Sequence, residues 1–155
     1  MGRERDLDLL MNGFERSKEG RGHAISIVAE AGGGKSRLLY EFRKAVSNEN
    51  ITFLEGKCLS YSRGIAYHPI IDILQSIVNI SEDDDDHEIK EKTSKALQTL
   101  GVDEASALPY LLEILSIKDS GLDTIPMSPE AKRDRTMDAL KQVVLKCAEI
   151  RPSLE

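Results

Sequence analysis

The chain has 155 residues, of which 40% are hydrophobic and 31% are charged. This composition is typical of a globular domain and excludes a disordered or fibrous chain, and the length favours one domain or part of one. The net charge is −6, with 11 basic and 10 acidic side chains in residues 1–80, and 10 and 17 in residues 81–155. Since no basic stripe is present, we expect no direct binding to nucleic acid or to an anionic membrane.

No apolar run approaches the ~17–25 residues that cross a bilayer, and the N-terminus begins with alternating charges rather than a signal peptide. Two cysteines, Cys58 and Cys147, stand in no extracellular context. They predict reduced thiols, a cytoplasmic location and a role as small core hydrophobes.

The first half of the chain predicts a helix, a strand, a second helix and a second strand. Residues 3–18 form an amphipathic helix, with one apolar stripe made by Leu7, Leu10, Met11 and Phe14. Residues 23–28 (HAISIV) are apolar and rich in β-branched side chains, which predicts a buried strand. After a glycine-rich turn, helical spacing resumes over residues 35–46 through Leu38, Leu39, Phe42 and Val46. Residues 51–54, extending to 57, predict the second strand, and the order indicates a βαβ unit with a right-handed crossover.

The second half is predicted to be almost wholly helical. Helices are expected over residues 70–80, with Pro69 at the first position, then from about 87 to 99, and over 109–116. Residues 81–86 form an acidic loop between the first two. Ser128-Pro129-Glu130 combines a cap, a first-position proline and a first-turn acid. The helix that follows ends near Arg151-Pro152, and its expected inward side chains are Met137, Leu140, Val144 and Cys147.

The most informative segment is residues 29–36, AEAGGGKS, which fits the P-loop spacing with alanine in place of the first glycine. Glycines let successive backbone N–H groups converge on phosphate oxygens, and the N-terminus of the following helix adds partial positive charge. Lys35 reaches the β- and γ-phosphates, and the Ser36 hydroxyl is placed to bind Mg²⁺. The alternative is a flexible triple-glycine connection whose Lys-Ser pair only opens a helix.

Two segments resemble a known ATPase family. Residues 2–7 (GRERDL) resemble the "GREREL" box that opens many AAA-like and STAND-type ATPase domains. Residues 30–38 (EAGGGKSRL) are similar to the "GEAGIGKSRL" P-loop of the branch found in large LuxR-type transcription regulators and multidomain adenylate or guanylate cyclases. The spacing of Cys58, Tyr61, Pro69 and Asp72 also resembles that branch, so the likeness extends from residue 2 to about residue 152.

The resemblance implies an ATP-binding module that relays its nucleotide state to output domains of the intact protein. ATP and Mg²⁺ are the implied ligands, and Ser36 is the implied metal ligand. Arg3 is expected near the adenine or ribose. The implied phosphate contacts come from Glu30, Ala31, Gly32, Gly33, Gly34, Lys35, Ser36 and Arg37.

The expected fold class is α/β, a P-loop NTPase fragment with a small parallel sheet of about two strands and a predominantly helical second half. In the relatives, a helix ending in Arg-Pro leads into the Walker B strand, whereas residues 153–155 here resemble vector-derived residues. We therefore expect residues 1–155 to be a truncated domain that ends before the Walker B acid and does not hydrolyse ATP by itself. No catalytic residue is assigned, and the two strands either pair directly or cover the gap by self-association.

Two other functions stay open. The first is a P-loop small-molecule kinase, for which Arg133 and Arg135 are candidate lid arginines, although a solvated face is their default. The second is an interaction scaffold with a vestigial loop. The acidic run 82–88 lacks the ligand spacing of an EF-hand and predicts a solvated loop and helix start. His68 is expected to cap a helix or face solvent rather than act in catalysis.

Overall fold

The computed structural model describes residues 4–57, 67–150 and 153–154. The chain folds as two compact units, Met1–Ile51 and Thr52–Glu155. Its helices are α1 (Glu4–Lys18), α2 (Lys35–Ala45), α3 (His68–Val78), α4 (Asp86–Leu100), α5 (Glu104–Ile114) and α6 (Pro129–Ile150), with a 3₁₀ turn over Leu122–Thr124. None of the helices in these ranges is long and apolar enough to cross a membrane.

The first unit is built from α1 and α2, which pack through one apolar face each. The rings of Phe14 and Phe42 meet edge to face, with their centroids 6.3 Å apart. The buried side chains of this unit are Leu10, Phe14, Leu38, Phe42 and Val46. Both helices predicted for this half are confirmed, but Leu39 is 44% exposed and does not belong to the packed face.

The strand predicted over residues 23–28 is wrong. The segment is irregular, Val28 is 90% exposed and Ile25 is 48% exposed. A strand exists through hydrogen bonds to a neighbouring strand, and no described segment is paired with these residues. The Ile25 side chain lies instead against α1 at Gly13, where an added Cβ would be 2.8 Å from its Cδ1 atom. The predicted βαβ unit is therefore not formed.

Among the described residues, the sheet consists of two short parallel strands, β1 (Thr52–Phe53) and β2 (Ser153–Leu154). Thr52 is in register with Ser153, and Phe53 with Leu154. The strand predicted over residues 51–54 is thus present, but its partner lies about a hundred positions later in the sequence. Direct pairing of residues 23–28 with 51–54, one of the two expected arrangements, is wrong, and the described chain is mostly helical.

The second unit has one continuous core, to which α3, α4, α5 and α6 all contribute. Its buried members are Leu74, Val78, Leu97, Val102, Ala107, Tyr110, Leu111, Leu122, Ala139, Leu140 and Val143. The helices predicted over residues 70–80 and 87–99 are confirmed, with boundaries shifted by one or two residues.

α5 begins five residues before the predicted start at Pro109. The Asp103 side chain caps the helix by accepting a hydrogen bond from the Ser106 N–H at 2.9 Å. Pro109 therefore lies inside the helix, where its missing N–H removes one backbone hydrogen bond. The cap at Asp103 defines the start of the helix, and the proline does not.

α6 begins where the sequence predicts, because the Ser128 hydroxyl accepts a hydrogen bond from the Ala131 N–H at 3.2 Å. Its inward face agrees with the prediction at Leu140 and Cys147 but differs at Met137. Ala139, Leu140 and Val143 are buried, whereas Met137 is 37% exposed. α6 packs chiefly against α5, and small side chains such as Ala139 allow two helices to approach closely, so the larger Met137 lies at the margin of the contact.

Candidate functional site

The candidate site is the turn that leads into α2. Gly32 and Gly34 have φ angles of 78° and 77°, in the left-handed region, while Gly33 between them does not. The Gly33 N–H donates a hydrogen bond to the Glu30 carbonyl at 3.0 Å and closes the turn. Alternation of left-handed and other residues turns successive N–H groups toward the same side, which is the arrangement of an anion-binding nest. The segment is neither extended nor part of a continuous helix.

The N-terminus of α2 carries backbone donors that have no acceptor within the described part of the chain. Gly34 is the N-cap residue and offers no side-chain cap, and the first turn contains no acidic residue. The first intrahelical hydrogen bond runs from the Leu38 N–H to the Gly34 carbonyl at 3.0 Å. The N–H groups of residues 35–37 therefore carry the partial positive charge of the helix end and are free to bind an anion.

Three other helices of the chain begin differently. Asp85, Asp103 and Ser128 each accept a hydrogen bond from a first-turn N–H of α4, α5 and α6, respectively. At Asp85 the cap is reciprocal, since the Glu88 side chain also accepts from the Asp85 N–H. α3 resembles α2, since it also begins after a left-handed residue that provides no side-chain cap. The missing cap alone does not distinguish α2, but the adjoining turn with two left-handed glycines and Lys35 does.

Lys35 folds its ammonium group back onto the loop. Its Nζ atom donates hydrogen bonds to the carbonyl oxygens of Ala29 and Glu30, the latter at 3.1 Å. Both acceptors are neutral, and hydrogen bonds to a charged acceptor are stronger. A phosphate oxygen at the loop would therefore compete well for this ammonium group.

Two neighbouring side chains are placed differently. Ser36 is exposed, and within the described residues its hydroxyl has no hydrogen-bond partner, so it is available as a ligand. The Arg37 Nε atom donates to Glu41 Oε1 at 2.8 Å along the surface of α2, with the side chain 79% exposed. Arg37 thus offers its backbone N–H to the loop, while its guanidinium is paired with Glu41. Arg3 lies outside the described residues.

These residues fit a nucleotide phosphate with Mg²⁺. A triphosphate needs several convergent donors, which the N–H groups of residues 34–37 and the Lys35 ammonium supply. Mg²⁺ keeps several water ligands and usually takes one or two protein ligands together with phosphate oxygens, so a single hydroxyl such as that of Ser36 is a suitable contribution.

The acidic run 82–88 forms a loop and a helix start, as predicted. Asp84 Oδ2 accepts hydrogen bonds from Lys92 Nζ at 2.6 Å and from the Ser81 N–H at 2.7 Å, and the Lys92 hydrogen bond holds the pKa of Asp84 below its usual range. Within residues 4–57 and 67–150, no group of three or more metal-binding side chains is present.

The remaining candidates of the sequence are structural. The sequence predicts that His68 caps a helix or faces solvent. The N-cap position of α3 is Tyr67, so His68 is not the cap, and its half-buried ring has Nδ1 3.6 Å from Asp72 Oδ1. Arg133 and Arg135 are exposed, which confirms a solvated face. Cys147 is half-buried and packs against the core, as predicted, while Cys58 lies outside the described residues.

Two features were missed from sequence. One is a cleft of about 600 Å³ in the second unit, between β1, α3, α4 and α6, with Lys92 and Lys95 among its lining residues. The other is a close approach inside the glycine loop, where a Cβ atom added to Gly33 would lie 2.9 Å from the Ala29 Cβ. The sequence held a signal for the second, because alanine replaces the first glycine of the pattern.

Comparison with known protein families matches residues 1–154 to the AAA ATPase domain. The matched range includes the glycine loop, α2 and the helices of the second unit. No curated protein and no solved structure matches the chain.

Proposed function

The chain belongs to the AAA ATPase domain family, and we propose that its residues 29–37 bind the triphosphate of ATP together with Mg²⁺. Membership makes the chain a nucleotide-binding module of the ATPase type. Domains of this family generally bind ATP with Mg²⁺, which agrees with the chemistry of the loop. The match extends over both compact units, which supports treating residues 1–155 as part of one ATPase domain.

The observation that carries the proposal is the uncapped start of α2 beside two left-handed glycines and a lysine. In the proposed complex, the N–H groups of residues 34–37 donate to phosphate oxygens. The Lys35 ammonium leaves the carbonyls of Ala29 and Glu30 and binds the β- and γ-phosphates. Ser36 contributes its hydroxyl to Mg²⁺, which neutralises charge on the phosphates.

The proposal concerns the binding of ATP and not its hydrolysis. Hydrolysis also needs an acidic side chain that helps to hold Mg²⁺ and a group that positions the attacking water, and neither is assigned to a residue of this chain. We propose further that the module serves a regulatory ATPase of the cytoplasm. That role rests on the resemblance of residues 2–7 and 30–38 to the boxes of regulators and cyclases.

A calorimetric titration with ATP and Mg²⁺ tests the proposal. We expect wild-type protein to bind and Lys35→Ala to bind about tenfold to a hundredfold more weakly, because hydrogen bonds to charged groups contribute about 1.5–3 kcal/mol. Lys44→Ala is the matched control, since Lys44 is an exposed lysine on the same helix and carries the same charge. It should bind as the wild type does.

Equal affinities of Lys35→Ala and wild type would contradict the proposed role of the loop. Absence of binding by the wild type would leave the scaffold hypothesis in place. Transfer of the γ-phosphate to an added small-molecule acceptor, followed by chromatography, would favour the kinase hypothesis instead.

A further inference from the structure

We infer that Ala29 and Gly33 act as a coupled pair of positioning residues, in which the methyl group of Ala29 and a side chain at position 33 exclude each other. A Cβ atom built on Gly33 would lie 2.9 Å from the Ala29 Cβ and 3.0 Å from the Glu30 carbonyl oxygen. Nonbonded carbon atoms pack best at about 3.5–4.0 Å. A side chain at position 33 and the methyl at position 29 therefore cannot both be present unless the loop opens.

Position 33 requires glycine because a side chain has no space there, and not because the backbone angle is left-handed. Gly32 and Gly34 need glycine because their φ angles are left-handed, and nothing lies within 4 Å of a Cβ added to Gly32. Gly33 has no such φ angle, yet an added Cβ there meets two neighbours. The consecutive glycines of the loop are thus required for two different physical reasons.

The general P-loop pattern has glycine at the first position and places no restriction on the position before the second glycine. In this chain, residue 29 at the first position of the pattern is alanine, and residue 33, just before the second glycine of the pattern, is glycine. Glycine is thus absent where the pattern requires it and present where the pattern allows any residue. The contact between the two positions has room for one side chain. Because position 29 carries a methyl group, glycine at position 33 keeps the turn closed.

The pair acts on the site through the backbone. The Gly33 N–H closes the turn onto the Glu30 carbonyl at 3.0 Å, and the carbonyls of Ala29 and Glu30 hold the Lys35 ammonium. Separating positions 29 and 33 would therefore shift both the turn and the lysine. The consequence for ATP affinity rests on the proposed function, whereas the steric coupling does not.

A double-mutant cycle tests the coupling with wild type, Ala29→Gly, Gly33→Ala and the double variant. Two quantities are measured for each protein, the urea midpoint of unfolding without nucleotide and the affinity for ATP with Mg²⁺. We expect Gly33→Ala to lower the midpoint and to weaken ATP binding about tenfold, because the added methyl group displaces the turn and the carbonyls that hold the Lys35 ammonium. The double variant removes the 2.9 Å contact with the Ala29 methyl but keeps the 3.0 Å approach to the Glu30 carbonyl oxygen. It should therefore bind more tightly than Gly33→Ala but more weakly than wild type.

A second cycle with Gly22→Ala in place of Gly33→Ala is the control, because nothing lies within 4 Å of a Cβ added to Gly22. Its effects should add to those of Ala29→Gly. Additive effects in the Ala29/Gly33 cycle, or a Gly33→Ala protein that equals wild type in both measurements, would overturn the inference. If Gly33→Ala does not fold, recovery of folding in the double variant supports the coupling, and failure of both overturns it.

The two measurements separate this inference from the proposed function. Wild-type protein that binds no ATP would refute the proposed function, and the unfolding midpoints alone would then decide the coupling. The unfolding midpoints could show coupling in a protein that binds no ATP. Ala29 and Gly33 would then still be a steric pair, in a loop with another role, and the part of the inference that concerns ATP affinity would be overturned.

Discussion

Gly32 occupies a left-handed conformation with open space around it, so its backbone angle can be tested apart from packing. We expect Gly32→Ala to destabilise the protein by about 1 kcal/mol, because an L-residue in this conformation costs roughly 1–2 kcal/mol. The alanine also restricts the unfolded chain, which offsets part of that cost. Urea denaturation would measure the change as a lower midpoint at an unchanged slope.

Gly22→Ala is the matched control for this substitution. Gly22 has equally open surroundings but no left-handed φ angle, so the alanine should be neutral or stabilising by about 0.4–1 kcal/mol. Equal effects of the two substitutions would mean that the φ angle of Gly32 carries no strain for a side chain. The glycine would then be replaceable in the unbound loop.

At the residue scale, the position of Lys35 and Ser36 at the start of a helix behind a glycine turn could be predicted, because the P-loop pattern depends on spacing within eight consecutive positions. The pairing of Arg37 with Glu41 could also have been predicted, since an opposite charge four positions along a helix is a frequent partner. The close approach of Ala29 and Gly33 could not, because it depends on how tightly the turn closes.

At the scale of elements, the helices followed from local signals and the first strand did not. Apolar spacing and the caps at Asp85 and Ser128 act within one or two turns of the chain, so they can be read in the sequence. The run HAISIV has the composition of a buried strand, but composition supplies no partner. No segment in the described part of the chain pairs with residues 23–28, so they remain irregular and Val28 remains exposed.

α5 and α6 are joined by an ionic cluster centred on Glu113. Its Oε1 atom accepts from Lys132 Nζ at 2.6 Å, and its Oε2 atom accepts from the Ser120 hydroxyl at 3.0 Å. The hydrogen bond from Lys132 lowers the pKa of Glu113 below its ordinary value of 4.5, and the Ser120 hydroxyl adds to this. The ionised carboxylate therefore stabilises the packed helix pair.

This pKa shift predicts a pH dependence of stability. Because the pKa is lower in the folded state, the contribution of Glu113 is fully present above pH 4.5 and is lost as the pH falls through the lowered value. We expect Glu113→Gln to unfold at lower urea than wild type at pH 7, and the difference to shrink as the pH is lowered below 4.5.

Glu149→Gln is the control for the Glu113 experiment, because the Glu149 pair with Lys146 is exposed and lies within α6 alone. Exposed pairs of this kind contribute little to stability. A Glu113→Gln difference that is constant from pH 7 to pH 3 would show that the ionised carboxylate is not what stabilises the helix pair.

At the scale of the whole molecule, the sheet is the part that the sequence least determined. β1 pairs with β2 across about a hundred residues, and two residues per strand leave no periodic pattern to read. The helical character of residues 67–150 was predictable because each helix carries its own apolar face, which the shared core then buries. Local patterns thus determine which helices form, while long-range contacts determine which segments pair as strands.

Nucleotide binding should appear as a gain in stability of the whole protein, since a ligand that binds only the folded state stabilises it by mass action. At a hundred times its dissociation constant the gain is about 2.7 kcal/mol. We therefore expect ATP with Mg²⁺ to raise the melting temperature by several degrees. Because the loop and Lys35 contact the phosphates in the proposed complex, AMP should give a much smaller rise and pyrophosphate an intermediate one.

The series of ligands identifies which part of the nucleotide the protein binds. Lys35→Ala should lose most of the rise with ATP and pyrophosphate, because both ligands depend on the ammonium group, while the small rise with AMP should persist. If AMP raised the melting temperature as much as ATP, most of the binding energy would come from adenosine contacts. The uncapped start of α2 would then be an incidental feature of the glycine turn and not the anchor of the ligand.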